Sequence, residues 1–382
     1  MRCISPIAVV PRVDSYGPSG HDTRMSSIEE QRPHAPTTPA PPNPWPRRLV
    51  PPLLAAALLT LVWVASDLAV PPALAPWTGQ LQGFVTVFLG IFIEALPFLM
   101  AGVLVSSAIH LFVSADQVQQ LSPRNPFLAA LGGSLLGLAF PVCECGAIPA
   151  TRRLLSKGAA LPAGIAFALA APVINPVVLI STFVAFGSWQ MVAWRAGLTI
   201  VIAVTVAVVI GATPRRELVL AHGVDQADDH DHSHHDHAHG AQPGEGPLRM
   251  AQRILEHANG EFFEMTRYLI IGAMLAAALQ TVVPRQALLA LGDGPLLSVL
   301  VMIGLAAVLS ICSTVDSFIA LSFVNSFTPG AILAFLVFGP MIDIKSALML
   351  TSTFSRRTVA LIILLCFQLT LLAGLAVNLL VR

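Results

Sequence analysis

The sequence is poor in charge. Of 382 residues, 11% are charged and 55% hydrophobic, whereas an ordinary soluble domain carries about 25% charged residues. With a mean hydropathy of +0.75, too little polar surface remains for a soluble globular enzyme. Neither sign of charge is in excess: 21 basic and 21 acidic residues cancel, so there is no basic surface to displace counterions from a nucleic acid. Five cysteines, Cys3, Cys143, Cys145, Cys312 and Cys366, are too few and too deep in apolar runs for a disulfide framework. No GxxxxGK[ST] loop occurs, so the chain lacks a P-loop for ATP hydrolysis. The first residues do not have the charged-then-apolar layout of a signal peptide, and Met25 is an alternative start. A polytopic membrane protein is what these absences leave.

The charges that exist are unevenly placed. Residues 1–48 and 213–264 hold 24 of the 42, and the other 282 residues hold 18. Residues 1–48 are rich in Pro, Ser, Thr and Arg, which cannot build a packed core, and read as a disordered cytoplasmic tail. Apolar stretches follow at 49–66, 81–113, 127–142, 159–187, 193–212, 263–283, 296–312, 317–327, 331–353 and 358–381. Several reach the ~20 residues that a membrane-crossing helix needs. Segments 127–142, 296–312 and 317–327 fall short and are candidates to re-enter rather than cross.

An internal repeat organises this pattern. FIEALPFLMAG (92–102) aligns with FFEMTRYLIIG (262–272), pairing Glu94 with Glu264 and Gly102 with Gly272. PVCECG (141–146) aligns with SICSTV (310–315), pairing Cys143 with Cys312, and PVINPVVLISTF (172–183) with PMIDIKSALMLTSTF (340–354), pairing Asn175 with Asp343. The expected architecture is all-α: a leading helix at 49–66, a first repeat at 84–211, a His-rich cytoplasmic loop at 212–261 and a second repeat at 262–381. If the Cys143 and Cys312 segments are re-entrant, Arg47/Arg48, Arg152/Arg153/Lys157, Arg215/Arg216, Arg249/Arg253 and Arg356/Arg357 all fall inside, as the positive-inside rule demands. The two halves then run oppositely, an inverted repeat; full crossing of every segment is the alternative and makes the repeat parallel. The location is a plasma membrane, with the lipid bilayer as the main partner.

The most informative stretch is PVCECGAIP (141–149), two thiols flanking a carboxylate between prolines that interrupt regular helix. Broken backbone at membrane depth is tolerated only inside protein or beside a watery cavity. Cys143 and Cys145 share a side if the segment is extended, and Cys312 is their repeat-related partner. Converging thiolates suit a soft metal or metalloid, and Glu144 makes a purely apolar explanation costly. Cys366, alone in mid-helix, reads as a small buried residue.

Acidic residues inside apolar segments are the second signal, since each costs about 2.5–3.5 kcal/mol if left charged at mid-bilayer. Glu94, Glu144 and Asp316 are candidates for proton coupling, with a structural role as the alternative. Asp343 lies two residues from Lys345 and Glu264 three from Arg267, spacings that allow local ion pairs. APVINP (171–176) and GPMIDIK (339–345) place a proline before Asn175 and Asp343, freeing backbone carbonyls for a ligand; a structural kink is the plainer reading. The substrate-binding set is therefore Cys143, Glu144, Cys145, Cys312, Asn175 and Asp343. No cofactor is required. His230, His232, His234, His235, His237 and His239, interleaved with aspartates, are candidate ligands for zinc, copper or nickel, and a merely solvated loop is the alternative.

The CECG triplet after a short Gly-rich apolar run, the P-x-I-N-P motif and the late STVDSF and GPMIDIK motifs resemble a predicted-permease family that includes the trivalent organoarsenical efflux permeases. The resemblance covers roughly 84–354; the tail and the His-rich loop lie outside it. It implies about eight or more helices, no ATPase domain and thiol ligation of substrate by Cys143, Cys145 and Cys312. On this basis the chain is expected to be a secondary permease exporting a small thiophilic metalloid or metal species. The alternative is a transition-metal permease, or a metal-sensing membrane subunit using the His-rich loop. A homo-oligomer or soluble partners are compatible with either. An intramembrane enzyme fits less well, because His110 is the one histidine within an apolar segment and CxC is not the CxxC redox motif.

Overall fold

The computed structural model describes residues 75–112, 114–121, 123–140, 142–212, 219–221, 247–282 and 294–380. The tail at 1–48, the apolar run at 49–66, Cys3 and the His230–His239 segment lie outside the described residues. Within them the protein is an all-α polytopic membrane protein. Its helices are α1 (Ala75–Phe112), α2 (Ala115–Leu121), α3 (Pro126–Ala139), α4 (Glu144–Ser156), α5 (Leu161–Ile174), α6 (Pro176–Phe186), α7 (Trp189–Gly211), α8 (Pro247–Val282), α9 (Pro295–Leu309), α10 (Asp316–Leu321), α11 (Pro329–Met341), α12 (Ile344–Leu350) and α13 (Arg356–Leu380). Among the described residues, six stretches are long and apolar enough to cross a bilayer: Gly79–Ile109, Leu161–Phe186, Trp189–Gly211, Ala258–Val282, Pro329–Leu350 and Arg356–Leu380. Helices α3 and α9 are apolar but shorter.

Two of the six spans are broken helices, and the breaks have local causes. Asn175 precedes Pro176, which disfavours helical geometry at the residue before it. Asn175 is accordingly extended (φ −64°, ψ 154°), and its Oδ1 accepts from the Val178 amide at 2.9 Å, capping α6. Asp343 does the same for α12: its Oδ1 accepts from the Ser346 amide at 2.6 Å, while Ser346 Oγ accepts from the Asp343 amide at 2.9 Å. This reciprocal capping box satisfies two amides that have no helical partner.

The structure differs from the sequence reading in two places. Pro149 does not end a helix but sits inside α4, where it removes the amide that would otherwise bond the Cys145 carbonyl. Helix α8 begins at Pro247, within the stretch 212–261 read as loop, because RMAQRILEHA is a run of good helix formers.

The interior is built on α5 and α11, which pack against each other. Their spans bury 72% and 78% of their most apolar stretches, against 28–44% for the other four. Helices α3 and α7 flank α5, and α9 and α13 flank α11. Helix α1 pairs with α8; α4 lies against α1 and α5, and α12 against α8 and α4. After α7, residues 219–221 attach to the chain before α13, with Ala221 N donating to Thr353 O and Ser355 N to Val219 O.

Candidate functional site

Helix α4 presents the CEC triplet at its N-terminus. Cys143 is the extended residue before the helix (φ −80°, ψ 179°), and its carbonyl accepts from the amides of Gly146 and Ala147. Glu144 and Cys145 then lie in the first turn. The segment is thus extended only up to Cys143. The start of α4 is pressed against α1 at Gly102 and Gly146, where a Cβ on Gly102 would fall 2.1 Å from the Gly146 Cα. From the other side, Asn175 donates to the Val142 carbonyl at 3.2 Å, tying the break before α6 to the residue before Cys143.

Opposite α4 stands Lys345, in the first turn of α12 and 3% exposed. Its Nζ lies 2.9 Å from Glu144 Oε1 and 3.0 Å from Asp343 Oδ2, and donates to the Ser310 carbonyl at 2.7 Å. Ser310, at the end of α9, has left-handed backbone (φ 50°, ψ 42°), a conformation that costs a non-glycine residue about 1–3 kcal/mol and persists where the surroundings impose it. That turn aims the carbonyl at the ammonium and leads the chain to Cys312. Behind Lys345, α8 approaches so closely that a Cβ on Gly272 would meet the Lys345 Cα at 2.6 Å.

These groups surround one small cavity. Cys143, Glu144, Cys145, Cys312 and Lys345 line it together with Glu94, Ile91, Ala95 and Phe98 of α1, and about 10 Å³ of space is left, scarcely one water. The three thiols are free and buried; Cys312 Sγ accepts from Thr314 Oγ1 at 3.6 Å. Glu144 Oε2 is buried and has no hydrogen-bond partner among the described residues. Among the described residues, no three His, Cys, Asp or Glu side chains are arranged to hold a metal ion. The chemistry available is thiol ligation beside a carboxylate already paired with an ammonium.

Other residues singled out in the sequence sit elsewhere. Asp316 is not in the cavity lining: both its oxygens accept from Arg195, at 3.1 and 2.6 Å. Asn175 caps α6. Asp343 reaches the site only by pairing with Lys345. Glu264 pairs with Arg152 at 2.8 Å and more distantly with Arg267 at 3.7 Å. Cys366 is buried in α13 and is not among the residues lining the cavity. The histidine cluster lies outside the described residues.

Sequence reasoning passed over Lys345 as a partner of Glu144, the Ser310 carbonyl, Arg195 and Glu261. Glu261 is buried and accepts from Ser106 Oγ at 2.8 Å, with Arg153 at 3.8 Å. The available signal was cationic: Arg195 and Lys345 stand inside apolar segments, where a charge calls for a partner as strongly as a carboxylate does. A second, larger cavity of about 500 Å³ has mainly apolar walls, including Ile109, Leu136, Phe140 and Phe167, and contains none of the predicted residues.

Residues 80–379 match a family described as predicted permease. The UPF0718 protein YcgR of Bacillus subtilis is 47% identical over 279 residues, covering 73% of this chain and 91% of that protein. A Streptococcus mutans protein named as a two-component membrane permease complex subunit is 37% identical over 275 residues, covering 71% of this chain and 87% of that protein. No solved structure matches.

Proposed function

The chain belongs to the predicted-permease family, a family of membrane transporters, and from that premise we propose that it is a secondary transporter exporting a thiophilic metalloid species, such as a trivalent organoarsenical, across the plasma membrane. The observation that carries this reading is the meeting of Cys143, Cys145 and Cys312 with Glu94, Glu144 and Lys345 at one cavity. These residues come from four separate segments: α1, the start of α4, the turn after α9 and α12. A ligand held there bridges elements from both ends of the sequence, as alternating access requires.

In this reading, the stretches 84–211 and 262–381 act as two inverted halves that rock about the broken spans α5/α6 and α11/α12. Glu94 and Glu144 exchange the coupling proton beside the substrate, and Asp316 serves from its pair with Arg195. The basic clusters keep the N-terminal tail and the His-rich segment on the cytoplasmic side. His230, His232, His234, His235, His237 and His239 buffer or sense zinc, copper or nickel there, while transport itself needs no cofactor. The Streptococcus mutans relative, by its name a complex subunit, supports a protein partner for this chain as well.

The test is accumulation of trivalent methylarsenic in everted membrane vesicles, wild type against Cys143→Ser/Cys145→Ser, with and without a proton gradient. Gradient-dependent uptake lost in the double variant supports the reading. No uptake by correctly inserted wild-type protein overturns the arsenical assignment.

A further inference from the structure

We propose that Lys345 is a charge filter: its ammonium occupies the position of a cation within the thiol site, so that the site admits electrically neutral thiol-reactive species and rejects free divalent metal ions. The inference rests on the reading of the cavity as the substrate site.

Two observations carry it. Two of the carboxylates that would attract a dication are already engaged, with Glu144 and Asp343 at 2.9 and 3.0 Å from the same ammonium; Glu94 shares the cavity with that ammonium. That ammonium makes a third contact, to the Ser310 carbonyl at 2.7 Å, and its backbone is packed against Gly272, so moving it aside breaks three contacts at once. The ammonium offsets the carboxylates beside it, and at low dielectric its own repulsion of a second cation is far stronger than in water. A neutral species meets no such barrier.

The ligation chemistry fits this division. A hydrated organoarsenical of the form R–As(OH)2 reacts with two thiols by forming two As–S bonds and breaking two As–O bonds. Each thiol proton leaves with a hydroxide as water, arsenic stays trivalent, and the net charge of the site is unchanged. A divalent metal binding two thiols must instead shed two protons into a cavity where Glu144 is already paired with Lys345, leaving Glu94 as the other carboxylate of the lining.

The experiment uses purified full-length protein in detergent. Protection of Cys143, Cys145 and Cys312 from maleimide is read residue by residue by mass spectrometry, so that metal held by the histidine segment does not register. Phenylarsine oxide is the neutral probe and Cd²⁺ the cationic one, applied to wild type, Lys345→Arg, Lys345→Gln and Lys345→Met. The expected result is that phenylarsine oxide protects the thiols in all four. Cd²⁺ protects them in Lys345→Gln and Lys345→Met at concentrations at least about tenfold lower than it needs in wild type or Lys345→Arg, as removal of a buried like charge requires. Cd²⁺ protection of wild type as effective as that by phenylarsine oxide overturns the filter while leaving the thiol site standing. The filter also falls if both uncharged variants bind phenylarsine oxide but not Cd²⁺, or if both lose phenylarsine oxide. Failure of phenylarsine oxide on wild type overturns the underlying substrate reading, and the filter with it.

Discussion

The Lys345 ammonium on α12 lies 2.9 Å from the Glu144 carboxylate on α4, and both side chains are nearly inaccessible. One charge therefore joins the CEC segment to the break before α12. Removing one member of a buried ion pair leaves an uncompensated charge, at a cost of about 3–5 kcal/mol. Lys345→Met is expected at that level, because two carboxylates lose their partner. Glu144→Gln is expected to cost less, since Asp343 still holds the ammonium. Denaturant unfolding of the two single variants and the double variant gives the coupling; a coupling energy near zero would show that the pair does not stabilise this junction.

The junction of α1 and α4 depends on two glycines. A Cβ on Gly102 would lie 2.1 Å from the Gly146 Cα, backbone against backbone, with no flexible side chain to yield. Gly102→Ala is expected to destabilise by about 1–3 kcal/mol or more, as overpacking does, and to raise the maleimide reactivity of Cys143 and Cys145 by prying α4 from α1. Gly90, on the same helix, has nothing among the described residues within 4 Å of its added Cβ. Gly90→Ala is expected to stabilise by about 0.5–1 kcal/mol through helix propensity. Equal melting shifts for the two variants would contradict the close approach.

A second buried pair governs the contact of α7 with α10. Arg195 is completely buried; its guanidinium donates to both oxygens of Asp316 and also to Thr182 and Ser317. Arg195→Lys keeps the charge but not the planar fork that makes the bidentate contact. It should therefore lose nearly as much stability as Arg195→Met, about 3–5 kcal/mol for a broken buried pair. Thermal unfolding in detergent separates the cases, and a Lys variant as stable as wild type would mean that charge alone suffices.

Much of this arrangement was legible in the sequence, and the reason is the cost of polarity in a bilayer. Glu144 between two cysteines, and Glu94 without a local partner, could not be explained by apolar packing, and both line the cavity. Asn175 and Asp343 were marked by the prolines around them, and both sit where a span breaks. What escaped was the pairing. Asp343 and Lys345 are close in sequence, so their contact was visible, but the third member, Glu144, comes from a distant helix that no periodicity reveals. Ser310 escaped for a different reason: it contributes through its carbonyl, and a backbone group has no signature in residue type. Likewise, Arg195 and Asp316 meet only because α7 and α10 are neighbours of α6, a fact of packing rather than of pattern.

Asn175 links capping to the thiols, and its two functions separate by substitution. The Oδ1 caps α6 through the Val178 amide, while the Nδ2 donates to the Val142 carbonyl at 3.2 Å, one residue before Cys143. Asn175→Ala removes both, and loss of an N-cap costs about 0.5–2 kcal/mol. Asn175→Asp keeps the acceptor for the cap but loses the donor, and places a carboxylate against a carbonyl oxygen. The expected outcome is that both variants label faster at Cys143 with maleimide, whereas Asn175→Asp additionally suffers from burying a charge with no donor beyond the cap. Labelling of Cys366, deep in α13, serves as the control for global loosening. If Cys366 accelerates as much as Cys143, the effect is general unfolding and Asn175 does not specifically position the CEC segment. Acceleration confined to Cys143 and Cys145 assigns the orientation of the thiols to the break between α5 and α6.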